Sequence, residues 1–224
     1  MKRYSYEVTA EDTIRITGIS HRFLFGKLQI PDYIGGRCVT EIGEQAFEFR
    51  RCICEVVLPD TIRVIGDRAF EGCIGLKKVK WPSQLHTIGS NAFSNCWKLD
   101  STAFSNQLEE IGIQSFQGCR SLTHIEIPSS VKRIHWCAFC ECSNLRSVLV
   151  QSGVRQLDDL VFADCVELRA VTLPETVDRI GTLVFHCNTL QYKAVQPPDL
   201  VVTVNKGSVA EKYCIKEGIR YSSK

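Results

Sequence analysis

Phenylalanine recurs at one fixed interval through most of this chain. Phe47, Phe70, Phe93, Phe116, Phe139, Phe162 and Phe185 each lie 23 residues after the one before. A spacing held through seven units without a slip does not arise from a single globular core. It marks a solenoid, whose coils each cover their apolar side with the next coil. At 224 residues and 44% hydrophobic content, composition alone permits one or two ordinary domains; the repeat decides for one elongated domain.

The fullest unit runs Leu122, Ile125, Ile127, Pro128, Val131 and Ile134, then closes on Ala138, Phe139 and Cys142. The first half of each unit has the pattern of a short parallel strand, from Ile53, Val56 and Leu58 through Leu99, Thr102 and Phe104 to Leu190, Lys193 and Val195. Pro59, Pro82, Pro128 and Pro174 end such strands. A second apolar pair follows, such as Ile62 and Ile65, and then Gly43, Gly66, Gly89, Gly112 or Gly181. That glycine position predicts either positive φ or a close backbone approach. His135 and Asp158 stand there in two coils, residue types that the left-handed region tolerates. The units at Leu99 and Leu190 are the least regular: the first reads Phe104-Ser105 where others read Ile-Pro, and the second puts Lys193 in an apolar slot.

Residues 1–37 fall outside the interval and read as an N-terminal β cap of two or three strands, with turns at Gly18 and Gly26. Seven repeat units occupy 38–196. Residues 197–224 read as a C-terminal cap, a strand over Leu200 to Val204 followed by a helix. Ser208 stands three residues before Glu211 as a capping box, and Gly218 is the predicted C-cap. Val209, Tyr213 and Lys216 share one helical face, and Tyr213 is expected over the end of the core.

Cys73, Cys96, Cys119, Cys142 and Cys165 all occupy one repeat position, three after the phenylalanine. Stacked equivalents lie roughly 5 Å apart with parallel side chains. That arrangement suits packed thiols better than disulfides and leans toward a reducing compartment. Residues 1–30 hold no apolar run long enough for a leader, and no stretch approaches a bilayer span. The expectation is therefore a cytoplasmic chain if complete as given, and an extracellular or cell-surface one if a leader was removed, with no membrane insertion in either case.

The units Leu76 to Cys96 and Leu122 to Cys142, the lead-in Ile30, Pro31, Val39, Ile42 and Gly43, and the finish from Val204 to Ser208 and Tyr213 resemble the BspA-like leucine-rich repeats. The resemblance spans roughly residues 28–218. It implies an α/β solenoid, a right-handed coil with short parallel strands between caps. It further implies protein binding, including adhesion or host interaction, and brings no catalytic residues with it.

In a solenoid the outward positions of successive strands line up into a platform. The candidate protein-binding residues on it are Val57, Lys78, Lys80, His124, Glu126, Arg146, Leu149, Thr172 and Tyr192. A mixed, partly apolar strip of this kind suits protein contact, although scattered apolar residues are also ordinary on a solvated face. The alternative reading is a structural or self-assembling scaffold segment of a surface protein.

Net charge is +2, from 27 basic and 25 acidic residues, which builds in no strong pull on nucleic acid. Lys77, Lys78 and Lys80 beside Trp81 are too few for a nucleic-acid patch, and Trp81 takes an apolar repeat slot. Cys137, Cys140 and Cys142, with His135 nearby, have metal-like spacing, but Cys142 belongs to the thiol column. No cofactor or metal is expected. The five histidines fall at unrelated repeat positions, no nucleotide or protease motif is present, and Asp158-Asp159 reads as a solvent-facing bend. The chain reads as a non-enzyme.

Overall fold

The computed structural model describes residues 4–20, 25–188 and 194–224. The chain begins with an antiparallel hairpin, Tyr4–Val8 against Ile14–Ile19, and the second strand pairs in parallel with Arg37–Ile42. Ile14, Ile16 and Ile19 are buried, so this strand lays its apolar face on the first coil. The hairpin turns at residues 10–12, where Asp12 has φ 58°. Gly18, predicted as a turn, lies inside the second strand instead.

The coils carry a narrow strand on one side and, in most of them, a wider strand on the other. The narrow sheet uses two residues per coil: Val64–Ile65, Thr87–Ile88, Glu110–Ile111, Arg133–Ile134, Gln156–Leu157 and Arg179–Ile180, all parallel and in register. It continues Arg37–Ile42 and runs without a break to Arg179–Ile180. One buried side chain per coil, such as Ile65, Ile88 and Ile111, anchors it. The glycine after that side chain lets neighbouring coils touch backbone to backbone. A Cβ on Gly66 would come within 2.9 Å of Glu44 N, and one on Gly112 within 2.7 Å of the Gly89 carbonyl carbon.

Close approach, rather than positive φ, is therefore what this position requires, and His135 and Asp158 are not left-handed either. The left-handed residues lie two positions on: Gln45, Arg68, Asn91, Gln114, Cys137, Leu160 and Leu183, with φ between 53° and 60°. A second such column comprises Phe49, Gly72, Asn95, Gly118, Glu141 and Asp164. Each non-glycine residue held there costs on the order of 1–2 kcal/mol. Coil-to-coil hydrogen bonds offset that cost. Gln45 N donates to Asp67 O at 2.9 Å, Phe47 N to Ala69 O at 2.8 Å and Phe49 N to Glu71 O at 2.7 Å, and the pattern recurs down the stack.

The bends point the phenylalanines inward. All seven rings are fully buried, with successive centroids 5.2–5.9 Å apart and planes within 14° of parallel. Beside them runs the thiol column. The Sγ of Cys73, Cys96, Cys119, Cys142 and Cys165 donates to the carbonyl of Phe47, Phe70, Phe93, Phe116 and Phe139, at 3.2–3.3 Å. A thiol is small enough for this slot and still satisfies a second lone pair on each phenylalanine carbonyl. All twelve cysteines are free. Burial pushes the Cys73 thiol up to about 12, and those of Cys96, Cys119 and Cys165 well above the ordinary value.

The wider strands face the other side of the coil and do not form one sheet. Gly26–Gln29, Ile53–Val57 and Lys78–Lys80 make three strands; His124–Ile127, Ser147–Val150, Ala170–Thr172, Val201–Val204 and Tyr221–Ser223 make five. The strand predicted around Leu99, Thr102 and Phe104 is absent. The physical reason is side-chain size. The inward slot holds Leu58, Ile127, Val150 and Leu173, each buried, but Trp81 and Phe104 in the intervening coils. The Trp81 ring packs 5.1 Å from Phe93 and 5.6 Å from Phe104, and Phe104 lies 5.5 Å from Phe116. Two large rings hold this coil off the ladder, and the buried Trp81 Nε1 and Thr102 Oγ1 are without partners among the described residues.

The end of the wide face departs from the 23-residue interval. The expected strand through Leu190 and Lys193 lies largely outside the described residues, while Cys187–Asn188 and Ala194–Val195 pair with each other in antiparallel fashion. The place beside Ala170–Thr172 goes to Val201–Val204. The helix Val209–Glu217 follows, capped as predicted: Glu211 N donates to Ser208 Oγ at 3.1 Å, and Gly218 closes it at φ 66°. Its inward face is Ala210, Tyr213 and Cys214, not Val209 and Lys216, which are exposed. Tyr213 stands edge-on to Phe185 at 6.3 Å and accepts a hydrogen bond from Val184 N, ending the ring stack. This helix is the sole α-helix among the described residues; the coils close with turns.

Candidate functional site

Parallel pairing in exact phase with the repeat would place equivalent side chains of successive strands one above another on the outer face. In the five-stranded section one column is His124, Ser147, Ala170 and Val201; the next is Glu126, Leu149, Thr172 and Thr203. Leu149, at 37%, is exposed for a leucine, whereas Val148 and Val150 on either side turn inward. His124 Nδ1 lies 2.5 Å from Ser147 Oγ, and Glu126 Oε1 accepts from Gln151 Nε2 at 2.5 Å. These bonds tie neighbouring coils together and fix the directions of both side chains.

Beyond the ends of these strands the surface dips into an open groove of about 550 Å³. Leu149, Gln151, Thr172, Glu175, Asn205 and Lys224 are among its lining residues. The groove joins three coils and the C-terminal residues, with both signs of charge on its rim. Sequence reasoning missed Val201 and Thr203 as members of this face. Their alternation identifies a strand, but only its pairing with Ala170–Thr172 brings it into the platform.

The other candidates divide. Val57, Lys78 and Lys80 lie on the three-stranded section, where Val57 pairs with Lys80 and Glu55 with Lys78. The strandless coil at Leu99 separates them from Glu126. Arg146 is exposed immediately before the strand Ser147–Val150. Tyr192 lies outside the described residues. The structure therefore brings His124, Glu126, Leu149 and Thr172 together and leaves the basic group on a separate platform. Trp81 is packed into the ring stack, and Lys77 lies 4.0 Å from Asp100.

On the narrow sheet, Asp158 is not the solvent-facing carboxylate expected. Arg133 Nε donates to it at 2.8 and 3.0 Å, and Gln156 Nε2 at 2.8 Å. Burial raises its carboxyl, but the hydrogen bonds from Arg133 and Gln156 outweigh that and leave it below the usual carboxylate range. Asp159 accepts from Thr182 N at 2.7 Å. Of the metal-like cluster, Cys137 and Cys140 are together, while Cys142 is committed to the thiol column. Among the described residues no three His, Cys, Asp or Glu side chains converge as metal ligands. Nor is any helix there long and apolar enough to cross a membrane.

A profile of the BspA type leucine rich repeat region, in six copies, matches residues 40–169 and 109–217. No curated protein matches the chain. Among solved structures, a leucine-rich repeat protein of T. pallidum is 30% identical, with a TM-score of 0.81 over 98% of this chain and 95% of its own. A leucine-rich repeat protein from Bacteroides ovatus is 21% identical, with a TM-score of 0.64 over 100% of this chain and 66% of its own. A leucine rich cell surface protein from Faecalibacterium prausnitzii, 21% identical, aligns at 0.52 over 91% of this chain and 76% of its own. The last two show the fold alone. With its ring stack, its thiol column and a family match that spans most of its length, the chain belongs to the BspA-type leucine-rich repeat family.

Proposed function

We propose that the chain is a non-enzymatic protein-binding module whose five-stranded face, from His124 to Thr203, receives a protein partner. The observation that carries this reading is that Leu149 in one column and Ala170 and Val201 in the next, apolar and outward-facing, lie among Glu126, Thr172 and His124 on strands locked in register. Such a surface has an apolar centre with a polar rim, as protein interfaces do. It is also held rigid before binding, which lowers the entropic cost of association. Adhesion to a host or matrix protein is the specific role we favour, with the chain displayed at a cell surface.

The test is affinity capture followed by titration of the captured partner against Leu149→Asp and Thr172→Lys, singly and together. Both positions are on the surface, so melting should stay within a few degrees of the unsubstituted chain. Binding weakened at least about tenfold by either change is the expected result. Unchanged affinity of the double variant would remove this face as the site.

A scaffold role is the second reading. It rests on the strand Tyr221–Ser223, which is exposed along its length and is an edge strand of the five-stranded sheet among the described residues. Light scattering separates the two. A scaffold segment self-associates at micromolar concentration, whereas the binding module stays monomeric.

A further inference from the structure

Every coil closes through a bend in which the left-handed residue and the residue three further on belong to one tight turn. In several coils these two positions are filled by side chains that meet. Arg68 and Glu71 form an ion pair, with Nε 3.6 Å from Oε2. Gln114 Nε2 donates to Gln117 Oε1 at 2.5 Å. Two coils further along, Leu160 and Ala163 pack in one apolar cluster. In the coil between, the same two positions are Cys137 and Cys140.

The backbone confirms their proximity. Cys140 N donates to Cys137 O at 3.1 Å. A β-turn of this kind keeps its end Cα atoms within about 7 Å, and a disulfide spans Cα separations of roughly 4.4–6.8 Å. Both side chains are buried at this turn. With Ala163 and Leu160 they form a small cluster apart from the main core, just under the surface at 5% and 6% exposure.

We propose that Cys137 and Cys140 form a reversible dithiol–disulfide site, closed by exchange with a small-molecule disulfide of the glutathione class. The Cys137 thiolate attacks one sulfur of the small disulfide. That S–S bond breaks, and one small thiolate leaves and takes up a proton. The mixed disulfide on Cys137 is then attacked by Cys140, which gives its proton to solvent as its sulfur bonds to Cys137 Sγ and the second small thiol departs. Two protein thiols are oxidised and one small disulfide is reduced to two thiols.

The roles follow from the surroundings. The neighbouring Cys140 S–H stabilises the Cys137 thiolate, holding that thiol below its ordinary value against burial and the nearby Glu141 and Asp164 carboxylates. Cys140 is pushed up by the same pairing and by burial, as befits the resolving partner. The column thiols are sealed by the ring stack, with raised pKa values and a carbonyl acceptor each. Cys52 and Cys54 are exposed, but Cys52 ends a turn and Cys54 lies in the strand Ile53–Val57, so no tight turn closes one on the other. They should react singly.

The test uses the full folded chain, reduced and then equilibrated with oxidised and reduced glutathione. After acid quench and unfolding, free thiols are alkylated and peptides are mapped by mass. The expected product links Cys137 to Cys140 and leaves Cys142 and the other column cysteines alkylated. In Cys140→Ser the glutathione adduct should persist on Cys137, and in Cys137→Ser the linkage should vanish. Cys137 and Cys140 both still alkylated when Cys52 and Cys54 are fully modified would overturn the proposal. So would a persistent adduct on Cys137 in the unsubstituted chain, which alone suffices should a variant fail to fold.

Discussion

The narrow sheet and the wider strand face are built from the same coils, yet they respond differently to the coil at Leu99. The narrow sheet passes through it, with Glu110–Ile111 paired on both sides. The wider face stops at Lys78–Lys80 and resumes at His124–Ile127. Strand length does not explain this, since the two-residue strands are the ones that persist. The narrow side asks only for one aliphatic side chain per coil, followed in most coils by glycine, and that coil supplies Ile111 and Gly112. The wide side asks for an aliphatic residue in a slot of fixed depth, and Trp81 and Phe104 exceed it. Continuity in this solenoid is set by the volume allowed at each shared slot.

Breaking the persistent side should have the largest effect. Phe116→Ala, in the middle of the ring stack, should cost about 3–5 kcal/mol through lost burial and the cavity left, read as a fall in the denaturant midpoint. Gly112→Ala places a Cβ against Gly89 and Ser90 backbone, which cannot retreat without moving the next coil. A loss of about 1–3 kcal/mol is expected, with unchanged stability showing that the close approach is dispensable. The double change Trp81→Leu and Phe104→Ile sharpens the comparison from the other direction. It should let residues 101–104 join the ladder, each new hydrogen bond contributing about 1 kcal/mol against the apolar area lost. A crystal structure of this variant should show one unbroken parallel sheet.

Smaller effects come from the edges of the persistent side. Cys119→Ala removes one column thiol and its bond to the Phe93 carbonyl, and should cost about 1 kcal/mol by thermal melting. The Asp158 carboxyl lies below its unfolded value, so its contribution is fully present above the unfolded pKa and fades as pH falls through the folded one. Asp158→Asn should therefore be less stable than the parent at neutral pH by under about 1 kcal/mol. The two should converge in acid.

What the residues revealed in advance was whatever repeats by type. Seven phenylalanines and five cysteines at one interval specified the stack and the thiol column, and Ser208, Glu211 and Gly218 specified the terminal helix. The left-handed columns were hidden because their occupants share nothing: Gln45, Arg68, Asn91 and Leu160 take one conformation because neighbouring coils bond their amides. The break in the wide face was hidden because Trp81 and Phe104 satisfy an apolar pattern while violating a volume limit that only packing reveals. The membership of Val201 and Thr203 in the candidate face was hidden by an offset. Val202 pairs with Val171 at a separation of 202 − 171 = 31 residues, not 23.

The central claim is that the two halves of the solenoid are joined at the coil at Leu99 through the ring stack, the thiol column, the bends and the narrow sheet, with no strand on the wide face. Residue-resolved amide hydrogen exchange of the native chain tests it most directly. The amides of Gly89, Phe93, Gly112 and Phe116, each bonded to an adjacent coil, should exchange slowly and alike. Those of Thr102 to Phe104 should exchange at least about tenfold faster than those of the strand His124–Ile127. Equal protection of residues 102–104 and that strand, or fast exchange at Gly112 and Phe116, would contradict the account.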